Sequence, residues 1–325
     1  TSEMYVPSFT NQPITPTSVQ VRRQTPFVVD FVRPQALDGA TLFVQKGGAI
    51  VREYLYSDAE QAYVASPVSL ISSHLIQTPI EMNTMYGAMS RSESYVFLVN
   101  RGGTVSVFNS NRGEQRAGWT EFTSQGSFAS TVTIDDRVFA NLIYDTGAGT
   151  RKFALCEFNE DFNTDVSKVY TGSAGVFNVS DFYDDGAVVN VVAGNNYVGE
   201  FVVSGGTVDV SAIEPDLNSA EIGMQFNVTL TTNPIDLSTA GGPVTGSPRR
   251  LGSVVVDFND TLSASVNGTK LVLRNVNGDL SQELSPLTGK KEFRLMGYNR
   301  DPQITITQSA PLSLQVNGLV AEVTF

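Results

Sequence analysis

One histidine, His74, bounds the nucleophilic chemistry open to this chain of 325 residues. A Ser-His-Asp or Cys-His site would have to be built on it. It sits beside Leu70, Ile71 and Leu75, apolar residues at helical spacing, and reads as a hydrogen-bonded core or interface histidine. Cys156 is the sole cysteine, so no intrachain disulfide can form. It lies in the alternating run Lys152 to Phe158 and reads as a small packed side chain. One Cys and one His cannot make a metal centre without many carboxylates.

Carboxylates are the next source of chemistry. Glycoside cleavage needs two of them across a sugar cleft. Asp135-Asp136 and Asp184-Asp185 are adjacent in sequence and lie between strand-like runs, where Asp favours turns. Glu157, Glu160, Asp161 and Asp165 could approach a cation, but their spacing does not match a 12-residue calcium loop. Gly47-Gly48, Gly102-Gly103 and Gly205-Gly206 separate strands instead of opening helices, so they are turn glycines and not phosphate cradles. The basic pairs Arg22-Arg23, Arg249-Arg250 and Lys290-Lys291 suit salt bridges better than phosphate binding. Trp119, the only tryptophan, reads as a packing anchor between sheets. No catalytic, cofactor-binding or metal-ligating residue is assigned, and the chain is read as not an enzyme.

The elements that would position any site are strands. The chain is 41% hydrophobic and only 17% charged, which supports a core and argues against disorder. Its net charge is −12. A protein that grips DNA phosphates carries a basic surface instead. An acidic surface suits solubility, or nucleic acid sliding past without sticking. No run of about 18 apolar residues is present, so no membrane span is expected. The first residues lack the basic start and apolar stretch of a signal peptide, and an initiator Met, so the chain reads as a fragment or processed product.

Residues 1–26, with Pro7, Pro13, Pro16 and Pro26, read as an extended arm. Strand–turn–strand units then begin near residues 41, 95, 138 and 187. Their interval matches the roughly 40–50 residues of a propeller blade. A hairpin cannot bury both faces alone, so stacked blades are expected over 27–212, with a β-sandwich of long meanders as the competitor. One short helix is expected near 67–77, because Ser66-Pro67 resembles an N-cap followed by Pro at the first helical position. Residues 213–221 read as a polar linker, and 222–325 as a separate β-sandwich or barrel domain without the hairpin repeat.

Several runs resemble the nozzle proteins of short-tailed bacteriophages, the family also called tail tubular protein B. They are Arg33 to Gly48 with Val51 to Tyr54 and Ser73-His-Leu75, then Asn100-Arg-Gly-Gly-Thr-Val-Ser-Val-Phe-Asn109. Ala117-Gly-Trp-Thr120 and Gly126-Ser-Phe128 follow in the family's order. Ile222 to Phe226 and Asp301 to Leu314 are similar to its later strands. The family's usual Asp-Gly turn is Gly102-Gly103 here. Its members are also longer, with a region upstream, so the resemblance implies a C-terminal half. It further implies a virion role: a homohexameric ring below the tail adaptor protein, docking tail fibres and passing double-stranded DNA without sequence-specific binding. The alternative is a glycan-binding or carbohydrate-active β-propeller on a virion or cell surface.

Overall fold

The computed structural model describes residues 2–6, 15–17, 19–87, 93–111, 113–114, 116–147, 149–235, 238–239, 242–243, 246–274, 283–308 and 310–324. Among them the regular structure is antiparallel strand, with a single 3-10 turn at Ser73–Leu75 and no α-helix. The all-β class expected from the sequence is the observed one. The chain falls into two compact units, Thr1–Asp145 with Arg151–Asn159, and Thr146–Thr150 with Glu160–Phe325.

In the first unit, three sheets follow one another along the chain. Gln35–Leu37, Ala40–Val44, Val51–Ser57 and Ala62–Pro67 form a four-stranded meander. Pro79–Met85, Ser94–Asn100, Val105–Asn111 and Arg116–Phe122 form a second. Ser127–Ile134, Arg137–Asp145 and Arg151–Glu157 form a third, of three strands. Side chains alternate between the faces of a strand, so one sheet can serve two cores. Val96, Leu98 and Phe108 of the second sheet pack with Leu42, Val44 and Val51 of the first. Phe97, Val99, Val105 and Val107 point the other way and pack with Val138 of the third. Each fully buried Val, Leu or Phe stabilises by roughly 1.5–3 kcal/mol. The second sheet is thus buried on both faces, which is how propeller-like stacks solve the problem of the lone hairpin.

Tight approaches fix the joints between these sheets. Gly103 has φ +87°, and a Cβ there would lie 2.6 Å from the Ser127 Cβ. Its carbonyl accepts from the Phe128 amide at 2.9 Å, tying the second hairpin turn to the start of the third sheet. A Cβ on Gly126 would meet the Ile143 carbonyl oxygen at 2.4 Å.

The expected helix near 67–77 does not form. The strand Ala62–Pro67 runs through Ser66-Pro67, and the backbone beyond it is committed to its neighbours. The Val68 amide donates to the Val51 carbonyl (3.0 Å), and the Val51 amide donates to the Ser69 hydroxyl (2.9 Å). Leu70 and Ile71 are 66% and 92% exposed, while Ile76 is buried. The apolar spacing therefore marks a loop with one inward residue.

The expected arm is partly strand. Arg22–Val28 pairs with Ser2–Tyr5, and Pro26 is tolerated on so short a ribbon. Pro7 and Pro13 lie outside the described residues.

In the second unit, Asp165–Thr171, Ser219–Met224, Val188–Ala193 and Asn196–Val202 form one sheet in that spatial order. Residues 213–221 are therefore not a linker. Gly172 and Gly175 amides donate to the carbonyls of Asn218 and Leu217 (2.9 and 3.0 Å). Ser219–Met224 then runs between two strands, with Ala220, Ile222 and Met224 buried. No divide falls there: the boundary between the units lies near residues 145–160. Beyond residue 224 the 13-residue strand Arg249–Thr261 pairs with Leu287–Arg294, Tyr298–Asn299 and Val316–Thr324. A second sheet holds Thr229–Thr231, Thr305–Thr307, Ser265–Val266 and Thr269–Lys270. Val254, Val256, Phe258 and Phe293 of the first share one core with Val266 and Ile306 of the second, which makes this region a β-sandwich.

Candidate functional site

The chemistry-bearing residues are dispersed and mostly used by the fold. His74 is exposed on the 3-10 turn, so it is not a core histidine. Asp135 takes φ +56° in the turn between Ile134 and Arg137. Asp184 accepts from the Thr146 hydroxyl, and its amide donates to the Thr146 carbonyl at 2.9 Å. Asp185 accepts from the Gly206 amide at 2.8 Å. Both carboxylates thus tie their loop to segments distant in the chain.

Glu157 is engaged by Arg137 through a two-pronged contact, with Nε to Oε1 at 2.6 Å. The Arg137 hydrogen bond holds the Glu157 carboxyl below the usual carboxylate range. Asp165 accepts from the Val166 amide at 3.0 Å. Among the described residues no three His, Cys, Asp or Glu side chains converge where a metal could bind.

The basic pairs are also dispersed. Arg23 donates to the carbonyls of Thr25 and Pro26, both at 3.0 Å. Lys290 sits opposite Asp257 in the sheet register. Arg249 is buried and donates to the carbonyls of Ile235 and Arg300. A shallow cavity of about 260 Å3 opens over it, lined by Asn267, Met296, Tyr298, Asn299 and Gln303. Its amides are turned into the fold. Asn267 accepts from the Thr305 amide at 2.7 Å, and Gln303 donates to the Thr232 carbonyl at 3.0 Å.

Trp119 has the anchoring role expected of it. Its Nε1 donates to the Val68 carbonyl at 2.9 Å, and its ring stacks on Phe108 with centroids 4.8 Å apart. Cys156 is half-buried, opposite Ala140.

Three polar clusters are not foreseen by the sequence reading. Asn100 is fully buried. Its Nδ2 donates to the Leu75 carbonyl and to the hydroxyls of Thr104 and Ser106 (3.0, 3.0 and 2.9 Å), while its Oδ1 accepts from the Gln77 amide at 3.0 Å. Asn83 donates to the Thr131 carbonyl at 2.6 Å, joining the second sheet to the third. Asp181 accepts from Lys168 Nζ (2.8 Å), the Tyr170 hydroxyl (2.9 Å) and the Phe182 amide (3.1 Å). Burial pushes the Asp181 carboxyl up, but the Lys168 and Tyr170 hydrogen bonds outweigh it and hold the group below the usual range. A carboxylate so occupied anchors a loop. The one signal for these clusters in the sequence is Asn100, at the head of a motif run.

The surface offers a different feature. The outer face of the third sheet exposes Val132, Ile134, Phe153 and Leu155, with Phe153 at 78% and Leu155 at 71%. Arg137, Arg151 and Glu157 lie on the same face. Such a face suits contact with another protein.

No helix among the described residues is long and apolar enough to cross a membrane. No family model matches the chain, and no curated protein does. Among solved structures, an exo-β-1,3-galactanase from Phanerochaete chrysosporium, a substituted form with β-1,3-galactotriose, aligns over 95% of this chain and 73% of its own. It does so at 10% identity and a TM-score of 0.24, so the likeness carries no argument.

Proposed function

We propose that this chain is a structural virion protein of a phage tail nozzle. In this reading copies form a ring, six in the family it resembles, that lines or closes the DNA exit channel. The ring docks to the tail adaptor protein and to tail fibres, and it works without catalysis. The observation that carries the reading is the ordered set of motif residues: Asn100 to Asn109, Ala117 to Thr120, Gly126 to Phe128. What supports it is the work these residues do. Asn100, Gly103, Trp119 and Gly126 all sit at joints between or within stacked sheets. The net charge of −12 fits passage of DNA without retention.

The test mixes the purified chain with the tail adaptor protein encoded in the same genome and follows both by analytical ultracentrifugation. A stoichiometric complex that leaves duplex DNA unbound is expected. Failure to join the adaptor, or cleavage of a polysaccharide abolished by substituting Asp184 or Asp185, overturns it and favours the glycan-directed alternative.

A further inference from the structure

The third sheet stops one strand short of the two before it, and among the described residues its last strand, Arg151–Glu157, pairs on one side only. The direction of its backbone groups follows from the register. The Phe158 amide donates to the Val138 carbonyl at 2.9 Å. That pair continues the register of Ala140↔Cys156 and Leu142↔Ala154. In an antiparallel ladder, hydrogen-bonded and non-bonded pairs alternate. Lys152, Ala154 and Cys156 therefore exchange bonds inward, and Arg151, Phe153, Leu155 and Glu157 turn their amides and carbonyls to the open edge. The two most exposed apolar residues of the strand, Phe153 and Leu155, are among the edge-facing four. Exposed edges of this kind template pairing with another chain.

The sequence Arg-Lys-Phe-Ala-Leu-Cys-Glu over 151–157 is complementary to itself in the antiparallel sense. Centring a two-fold axis on Ala154 places Arg151 opposite Glu157 of the other copy, and Phe153 opposite its Leu155. With their symmetry mates these make four pairs whose backbone groups face the edge, so about eight ladder hydrogen bonds can form. Ala154 meets its own copy at a non-bonded position, where a small side chain fits. On the outer face, Phe153 and Leu155 of both copies make one apolar row, closed at each end by an Arg–Glu pair. Arg137 already holds Glu157 in place within the chain.

We propose that two copies of this chain associate through antiparallel pairing of their Arg151–Glu157 edge strands about Ala154. This contact is isologous and closes at two copies, whereas a ring needs a heterologous surface. It therefore goes beyond the nozzle reading and does not depend on it.

The test is sedimentation of the full chain over a range of concentrations, with three variants. Leu155→Pro removes an edge-facing amide and leaves the inward ladder intact. It is expected to weaken self-association at least tenfold, as is Leu155→Lys, which keeps the backbone donor and serves if the proline variant fails to fold. Ala154→Cys in a Cys156→Ser background is expected to form a disulfide-linked dimer under mild oxidation, because non-bonded pairs bring Cα atoms to about 4.5 Å. A wild-type chain that stays monomeric at the highest concentration, or a dimer unaffected by Leu155→Lys, overturns the proposal. So does absence of the disulfide-linked dimer. An adaptor complex that persists in Leu155→Lys leaves the nozzle reading intact, so the two can fail separately.

Discussion

At the scale of single residues, the polar side chains that look most like chemistry act as fasteners. Asn100 shows why. It is fully buried, and all of its hydrogen-bonding capacity except one acceptor lone pair is used. Replacing it with Ala removes the acceptor of the Gln77 amide and the donor to the Leu75 carbonyl and the buried Ser106 hydroxyl. Leaving buried polar groups unpaired costs about 1–3 kcal/mol each, so Asn100→Ala is expected to lower stability by about 2–3 kcal/mol in urea titrations. Asp181 gives a pH-dependent case. Its folded pKa is depressed, so its contribution is fully present above the unfolded carboxylate value of about 3.9 and is lost as pH falls through the folded value. The Lys168–Asp181 pair is about half exposed, which limits its worth to under about 1 kcal/mol. Asp181→Asn is accordingly expected to destabilise slightly at about pH 7, less in high salt, and not at all once pH has fallen below the depressed folded value. These roles were hidden in the sequence because each depends on partners brought in by folding. Leu75 and Thr104 meet at Asn100, and Lys168 and Tyr170 meet at Asp181.

At the scale of elements, the hairpins were legible and their surroundings were not. The second hairpin is rich in β-branched and aromatic residues on both faces and turns at Gly102-Gly103, so strand composition and turn chemistry agree. The Ser66-Pro67 signature misled because an N-cap followed by Pro is a local pattern. The same dipeptide can end a strand whose next amide is already bonded to Val51. The Ser219–Met224 strand misled for the opposite reason. Its charge at Glu221 reads as surface, yet the carboxylate accepts from the amides of Asn163 and Thr164 at 2.8 and 2.7 Å. Sheet joints give a sharper test. Gly126→Ala forces a Cβ against the Ile143 carbonyl, and overpacking of this kind costs about 1–3 kcal/mol. Gly118→Ala, where nothing lies within 4 Å, is expected to be near neutral in the same thermal melts.

At the scale of the whole molecule, the two compact units have their own cores. Leu98→Ala removes a fully buried side chain from the first and is expected to cost about 2–5 kcal/mol there. Phe258→Ala does the same to the sandwich, at about 3–5 kcal/mol. Calorimetry of the full chain is expected to show each variant lowering a different transition, whereas one transition moving with both would mean a single cooperative unit. In the first unit, an open apolar face and an exposed strand edge suit contact with another protein, as the nozzle reading proposes. Electron microscopy of the chain mixed with the tail adaptor protein that the nozzle reading proposes as its partner tests that reading most directly. The expected image is a ring of copies coaxial with the adaptor, around a channel wide enough for duplex DNA. Adaptor rings without added density, beside a chain that remains separate, would contradict it.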